Sequence, residues 1–275
     1  MTICIAALCF DGPHPVIVLC TDTKGSSHLG TTYSAEKENA LGDDWACLAA
    51  GSESESAAMY SIFLRAFTEK ETKDETNIVQ LVQSCLRQRK AEKADDLIGG
   101  RWGMSFAEFR RARSEFPEDQ YARDMREVAN ITLAADFIIA GFLDDGIPIL
   151  LETDRYAEVA IRQNYCVIGE GAHLAQAALM HRDHTEHDTL ARAIYCAFEA
   201  KKYAQRISTV GPETRLSIYR YGTNPFTITQ KAEDHLAGLF EKYGPKDLVE
   251  EDHVNLPADF IESVYAHLMP QRTEK

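Results

Sequence analysis

A chain of 275 residues, 45% apolar and 26% charged, holds enough material for one large domain or two small ones around a sizeable core. Its net charge of −14 argues against a broad basic face for nucleic acid. No apolar run approaches the roughly 20 residues that span a bilayer, and the longest, "ITLAADFIIAGFL", carries Asp136 in its middle. The N-terminal residues show neither the basic segment nor the apolar segment and cleavage site of a secretory leader. Cys4, Cys9, Cys20, Cys47, Cys85, Cys166 and Cys196 form no CxxC pair and fall mostly in strand-like runs. Such thiols read as reduced, buried small hydrophobes, and a cytoplasmic location is expected.

In chain order, residues 2–9 and "PVIVLCTD" (15–22) read as two strands joined by the Gly/Pro cluster "FDGPHP". "TTYSA" (31–35) and "WACLAAG" (45–51) are further strand candidates. Helical periodicity predicts helices from about Ser54 to Glu69 and from Asn77 to Lys93. Residues 94–128 are rich in Arg, Gly and acidic side chains and read as an inserted helical excursion on the surface. "ADFIIAGF", the turn "LDDG" and "IPILLETD" carry a hairpin signature, and "YAEVAI" and "YCVIGEG" form another strand pair. Helices are predicted over about 172–182 and 188–206, then a strand at "RLSIYRYG". Amphipathic helices around "EDHLAGLFEKYG" and "PADFIESVYAHLM" occupy a C-terminal extension, 224–275. Hairpins alternating with helices in blocks predict an α+β fold: one domain over 1–275, with two antiparallel sheets stacked between helical layers.

No GxxxxGK[ST] loop, GxSxG elbow or HExxH helix is present. "MHRDHTEHD" sets His181, His184 and His187 among acidic residues, a spacing compatible with zinc. The plainer reading, preferred here, is a polar inter-helix loop in which Asp188 or Thr189 caps the next helix.

Thr2 stands at the tip of the first strand. A hydroxyl is a poor nucleophile until a base takes its proton, and an N-terminal threonine carries such a base in its own α-amine. That amine titrates at about 7.7–8.0, so part of it is free base at neutral pH. The chemistry requires Thr2 to come first. Removal of Met1 ahead of a small second residue is the expected route.

Several stretches resemble proteasome β subunits in order and spacing. "VIVLCTDTKGSS" is similar to their second strand and its acidic end, and "SAEKENALGDDWACLAAGSESES" to the lysine, turn, strand and Ala-Gly that follow. "ADFIIAGFLDDGIPILLETD" resembles their central hairpin, "YCVIGEGAHLAQAAL" their strand–Gly-x-Gly–helix, and "DTLARAIYCAFEAKKYAQRISTVGPETRLSIY" their last helix and strand. The resemblance covers roughly 2–220, interrupted at 94–128, and points to a proteasome β-like N-terminal nucleophile (Ntn) hydrolase related to HslV and the bacterial Anbu group. It implies a four-layer αββα sandwich, a homo-oligomer, peptide or unfolded-protein substrates and no cofactor or metal. It leaves any ATPase partner unidentified; the charge balance and the lack of a long apolar run speak for no nucleic-acid and no membrane partner. It also implies roles. Thr2 is the nucleophile. Lys37 lowers the pKa values beside it, Asp22 pairs with Lys37, and the Gly51 N–H faces the oxyanion.

The chain departs from that pattern in places. The family's serine in the Gly-x-Gly turn is replaced by Glu170, whose carboxylate is expected to favour the ammonium form of the Thr2 amine. In "RISTVGPET", Ile207 and Val210 stand where the family has Asp and Ser, with Ser208 nearby. Ala49 and Glu53 leave room for a large or basic substrate side chain. Three functions remain open on the sequence: a threonine peptidase, a non-catalytic scaffold or binding protein, and a small-molecule amidase or acylase.

Overall fold

The computed structural model describes residues 2–23, 25–27, 30–32, 37–69 and 73–244. The chain opens with β1 (Ile3–Asp11), β2 (His14–Asp22), β3 (Gly25–Ser27), β4 (Gly30–Thr32), β5 (Glu38–Ala40) and β6 (Trp45–Gly51). Helices α1 (Glu53–Glu69), α2 (Glu75–Trp102), α3 (Phe106–Arg111) and α4 (Glu118–Ala129) follow. Then come β7 (Ala135–Phe142), β8 (Pro148–Thr153), β9 (Val159–Arg162) and β10 (Tyr165–Gly169). The chain continues through α5 (Ala172–His181), α6 (Leu190–Ala204), β11 (Thr214–Arg220), β12 (Phe226–Thr227) and α7 (Gln230–Tyr243).

Two five-stranded antiparallel sheets organise the molecule, in the orders β10-β1-β2-β11-β12 and β5-β6-β7-β8-β9. The fold is therefore α+β with two antiparallel sheets, as expected. Near-continuous apolar strands follow from burial on both faces, because side chains alternate with a period of two. On β1, Ile3, Ile5 and Cys9 join a cluster with α5 and α6, while Cys4, Ala6 and Leu8 join a second cluster shared with the other sheet. On β7, Phe137 and Ile139 pack with Met59 and Phe63 of α1 and Val82 of α2, while Ile138, Ala140 and Phe142 face the shared cluster. One phase shift on either strand would exchange the two buried sets.

The helical excursion begins later than its composition implies. α2 runs unbroken through 94 to Trp102, because Ala94 and Ile98 continue its buried stripe, and it stops only at Gly103, which takes φ +66°. Beyond it, Trp102, Phe109, Phe116 and Tyr121 pack ring against ring, and the buried Asp124 accepts from the Trp102 indole at 2.9 Å and from Arg101 at 2.6 Å. Ser105 and Glu108 form a capping box at the start of α3. The C-terminal extension is docked as far as it is described. Ala232 and Leu236 of α7 enter the cluster under α6, and the buried Arg182–Glu199 pair ties down the Gly244 carbonyl. The helix expected around "PADFIESVYAHLM" lies outside the described residues. Among the described residues, no helix is long and apolar enough to cross a membrane.

Candidate active site

The two strands of the first hairpin end together. Cys4 of β1 faces Thr21 of β2, a register that sets Ile3 opposite Asp22 at the end of β2 and Thr2 just beyond it. Asp22 is fully buried, and its Oδ1 accepts three hydrogen bonds: from the Thr2 hydroxyl at 2.5 Å, the Ile3 N–H at 2.9 Å and the Lys37 ammonium at 2.7 Å. Its Oδ2 accepts the Gly211 N–H at 2.9 Å. Burial resists ionisation of this carboxyl, but the donors from Lys37, Thr2 and Ile3 outweigh it and hold its pKa below the ordinary aspartate value. Asp22 is thus a fixed anion at neutral pH.

Lys37 leads into the other sheet. It precedes β5, and its carbonyl accepts the N–H of Ala49 in β6 at 3.1 Å, so its backbone is anchored while its ammonium crosses to Asp22. The side chains of Asp22 and Lys37 are 0% and 8% exposed, which takes the pair well out of bulk water and strengthens the attraction.

Gly169 lets β10, the neighbour of β1 in the same sheet, end in close contact with Thr2. It pairs with Ile3 and takes φ +104°. A Cβ there would stand 2.1 Å from the Thr2 carbonyl oxygen and 3.4 Å from the Ala50 Cβ. Gly51 closes β6 at φ +138°, and a Cβ on it would come within 2.4 Å of the Ala134 carbonyl. Glu170 touches Thr2 through its backbone, whose N–H donates to the Thr2 carbonyl at 3.1 Å. Its carboxylate accepts the Thr209 hydroxyl at 2.6 Å. Val210 belongs to the apolar cluster under α6, and Ile207 packs against that cluster.

Asp22 is therefore brought into direct contact with both Thr2 and Lys37, Glu170 is bonded to Thr2 by its main chain, and Gly51 ends β6 in the other sheet. His181 ends α5, and the other two histidines behave as parts of the loop that follows. His184 is buried on Asp188 at 2.8 Å, His187 is exposed beside Phe10, and Thr189 caps α6 by accepting the Arg192 N–H. Among the described residues, no cluster of metal-ligating side chains forms. All seven cysteines are free and buried, and burial pushes the Cys4 thiol, nearest this site, up to about 12. None resembles an activated thiolate.

Three participants escape sequence reasoning: the Gly211 N–H, Lys201 and Gln205. Lys201 is wholly buried on α6 and donates to the Pro212 carbonyl at 2.7 Å, and Gln205 donates to the Gly211 and Pro212 carbonyls at 3.1 and 2.6 Å. The readable signal is spacing: 201 lies three and four residues from the apolar Ala204 and Ala197, on the helix face that enters the core.

Comparison with protein-family models finds no match, and comparison with curated proteins finds none either. The chemistry of the site rests on its own geometry.

Proposed function

We propose that the chain is a threonine-type Ntn hydrolase of the proteasome β-like kind, acting on peptide or other amide bonds in a homo-oligomer, with its sheets and helices in a four-layer αββα arrangement. One observation carries the reading: the Thr2 hydroxyl and the Lys37 ammonium share a single oxygen of a buried aspartate. A carboxylate held below the ordinary aspartate range is too weak a base to deprotonate a hydroxyl. An α-amine near pH 8 is far better matched, provided Thr2 is the first residue. Asp22 then orients Thr2 and Lys37, and Lys37 supplies positive charge where the hydroxyl loses its proton.

In the reaction, the α-amine takes the Oγ proton as Oγ bonds to the substrate carbonyl carbon. The N–H at Gly51 is the proposed donor to the resulting oxyanion. The amide C–N bond breaks, the leaving amine carries away the proton, and water hydrolyses the ester left on Thr2. The small Ala49 and the acidic Glu53 at the start of α1 favour a large or basic side chain next to the cleaved bond.

A second reading, a non-catalytic scaffold, is favoured by the burial of Thr2, which is 5% exposed. Intact mass spectrometry before and after a β-lactone or an epoxyketone separates the two. A chain beginning at Thr2 that gains one adduct supports the hydrolase. A retained residue ahead of Thr2, or a free Thr2 that never reacts, supports the scaffold. A labelled protein that cleaves small amides but no peptide would redirect the substrate to a small-molecule amide.

A further inference from the structure

Asp22 is held on one side by Thr2, Ile3 and Lys37, and on the other by a single main-chain donor, Gly211. That donor sits in the turn between α6 and β11, where nothing in a regular ladder aims it at a carboxylate. What fixes the turn comes from the last turn of α6 and its C-cap. Lys201 and Gln205 are four residues apart on one face of the helix. Lys201 reaches the Pro212 carbonyl at 2.7 Å, and Gln205 reaches both Gly211 and Pro212. Val210, immediately before the donor, is packed into the cluster under the helix.

A wholly buried lysine demands an explanation, since removing an ammonium from water is costly and an apolar side chain would fill the same volume. The hydrogen bond it makes is to a carbonyl of the turn that supplies Asp22. The charged and titratable groups around it are Cys20 and Asp22 on β2, Lys202 on its own helix and Glu233 on α7. None of these carboxylates forms an ion pair with it among the described residues, which leaves the turn as the structural consequence of its presence.

We propose that Lys201, with Gln205, is a positioning residue for Asp22. It acts through the Gly211–Pro212 segment, whose N–H completes the acceptor set of the carboxylate that orients Thr2. The role in catalysis rests on the hydrolase reading; the effect on Asp22 does not. Loss of the anchor would let the turn relax, withdraw the Gly211 N–H and leave Oδ2 less well satisfied. The carboxylate would then protonate more readily and hold Thr2 and Lys37 less firmly.

The test compares wild type with Lys201→Met, which keeps the stem and removes the donor, and with Gln205→Ala, at a half-exposed position. Folding is checked by circular dichroism. The titration of Asp22 is followed by carboxyl 13C NMR, and the rate of Thr2 acylation by a β-lactone is followed from pH 5 to 9. Both variants are expected to raise the Asp22 midpoint. In a wild type that labels, both are also expected to slow acylation about tenfold at neutral pH, the effect of one charge-assisted hydrogen bond. A folded variant whose Asp22 titrates as in wild type would overturn the proposal. If Lys201→Met does not fold, the same criteria are read from Gln205→Ala. A shifted Asp22 in a protein whose Thr2 never labels would uphold the positioning role and sink the hydrolase.

Discussion

Gly169 and Thr2 are in main-chain contact so close that a side chain on the glycine would occupy the threonine's carbonyl, with a Cβ only 2.1 Å from that oxygen. Gly169 also takes φ +104°, where L side chains are strained. Gly169→Ala is therefore expected to cost about 3 kcal/mol or more and to displace Thr2. Chemical denaturation and inhibitor labelling should both register it. An alanine variant as stable as wild type would contradict the contact.

Removing the hydroxyl or the cation tests the shared oxygen. Thr2→Ala should give no adduct with a β-lactone, whereas Thr2→Ser keeps a hydroxyl within reach of Asp22 and should still label. Lys37→Ala should slow labelling by about 100-fold or more, the scale of losing one preorganised electrostatic group. Labelling of Thr2→Ala at another residue would remove Thr2 from the chemistry.

The depressed pKa of Asp22 sets a sign for stability against pH. The folded state binds fewer protons there than the unfolded chain, so the stabilisation is complete above the ordinary value of 3.8 and is lost as pH falls through the lower folded value. Asp22→Asn leaves Lys37 without its close anion and should cost about 3 kcal/mol at neutral pH. The gap between the two proteins in urea midpoint should narrow as pH falls below about 4. A gap independent of pH would show that the carboxylate is not the source.

Lys201 has the opposite chemistry and a different window. Burial lowers its pKa from 10.5 to about 8, so between those values the unfolded chain holds a proton that the folded molecule releases. Stability from this group rises with pH across that interval. Wild type should gain on Lys201→Met between pH 8 and 10, measured by thermal melts at matched ionic strength.

Glu170 and Thr209 make a paired prediction. The carboxylate stands one residue from Gly169 and is turned onto the Thr209 hydroxyl at 2.6 Å. An anion near the Thr2 ammonium favours the charged amine, and the rate follows the free amine. Glu170→Ser should move the acid limb of the labelling profile to lower pH. Thr209→Ala, which releases the carboxylate, should move it to higher pH. Unchanged profiles in both variants would confine Glu170 to holding the turn.

Much of this was legible in the sequence because a short, nearly continuous apolar run bounded by turn residues is a strong signal for a strand buried on both faces. β6 spans the 45–51 run read from "WACLAAG", and Asp22 ends the second strand. β5, "ENA", escaped notice because three residues with one apolar side chain carry no alternation, and its ladder with β6 holds it in place. α2 was cut short at Lys93 because the Arg, Gly and acidic composition from 94 onward read as a separate excursion, yet the stripe of Ala94 and Ile98 carries the helix past Gly99 and Gly100 to Trp102. Thr2, Asp22 and Lys37 could be ranked together from their order. Lys201 could not, because its partner is a backbone carbonyl, and backbone atoms leave no mark in a sequence.

The shared oxygen has a consequence for the moment at which chemistry becomes available. Thr2 and Asp22 ride on one sheet and Lys37 leads into the other, so a half-built molecule with only one sheet formed lacks the assembled trio. Any bond-cleaving power at Thr2 would then switch on only after the sheets have docked. A newly made chain would be harmless to its own unfolded siblings, and assembly itself would serve as the safety catch.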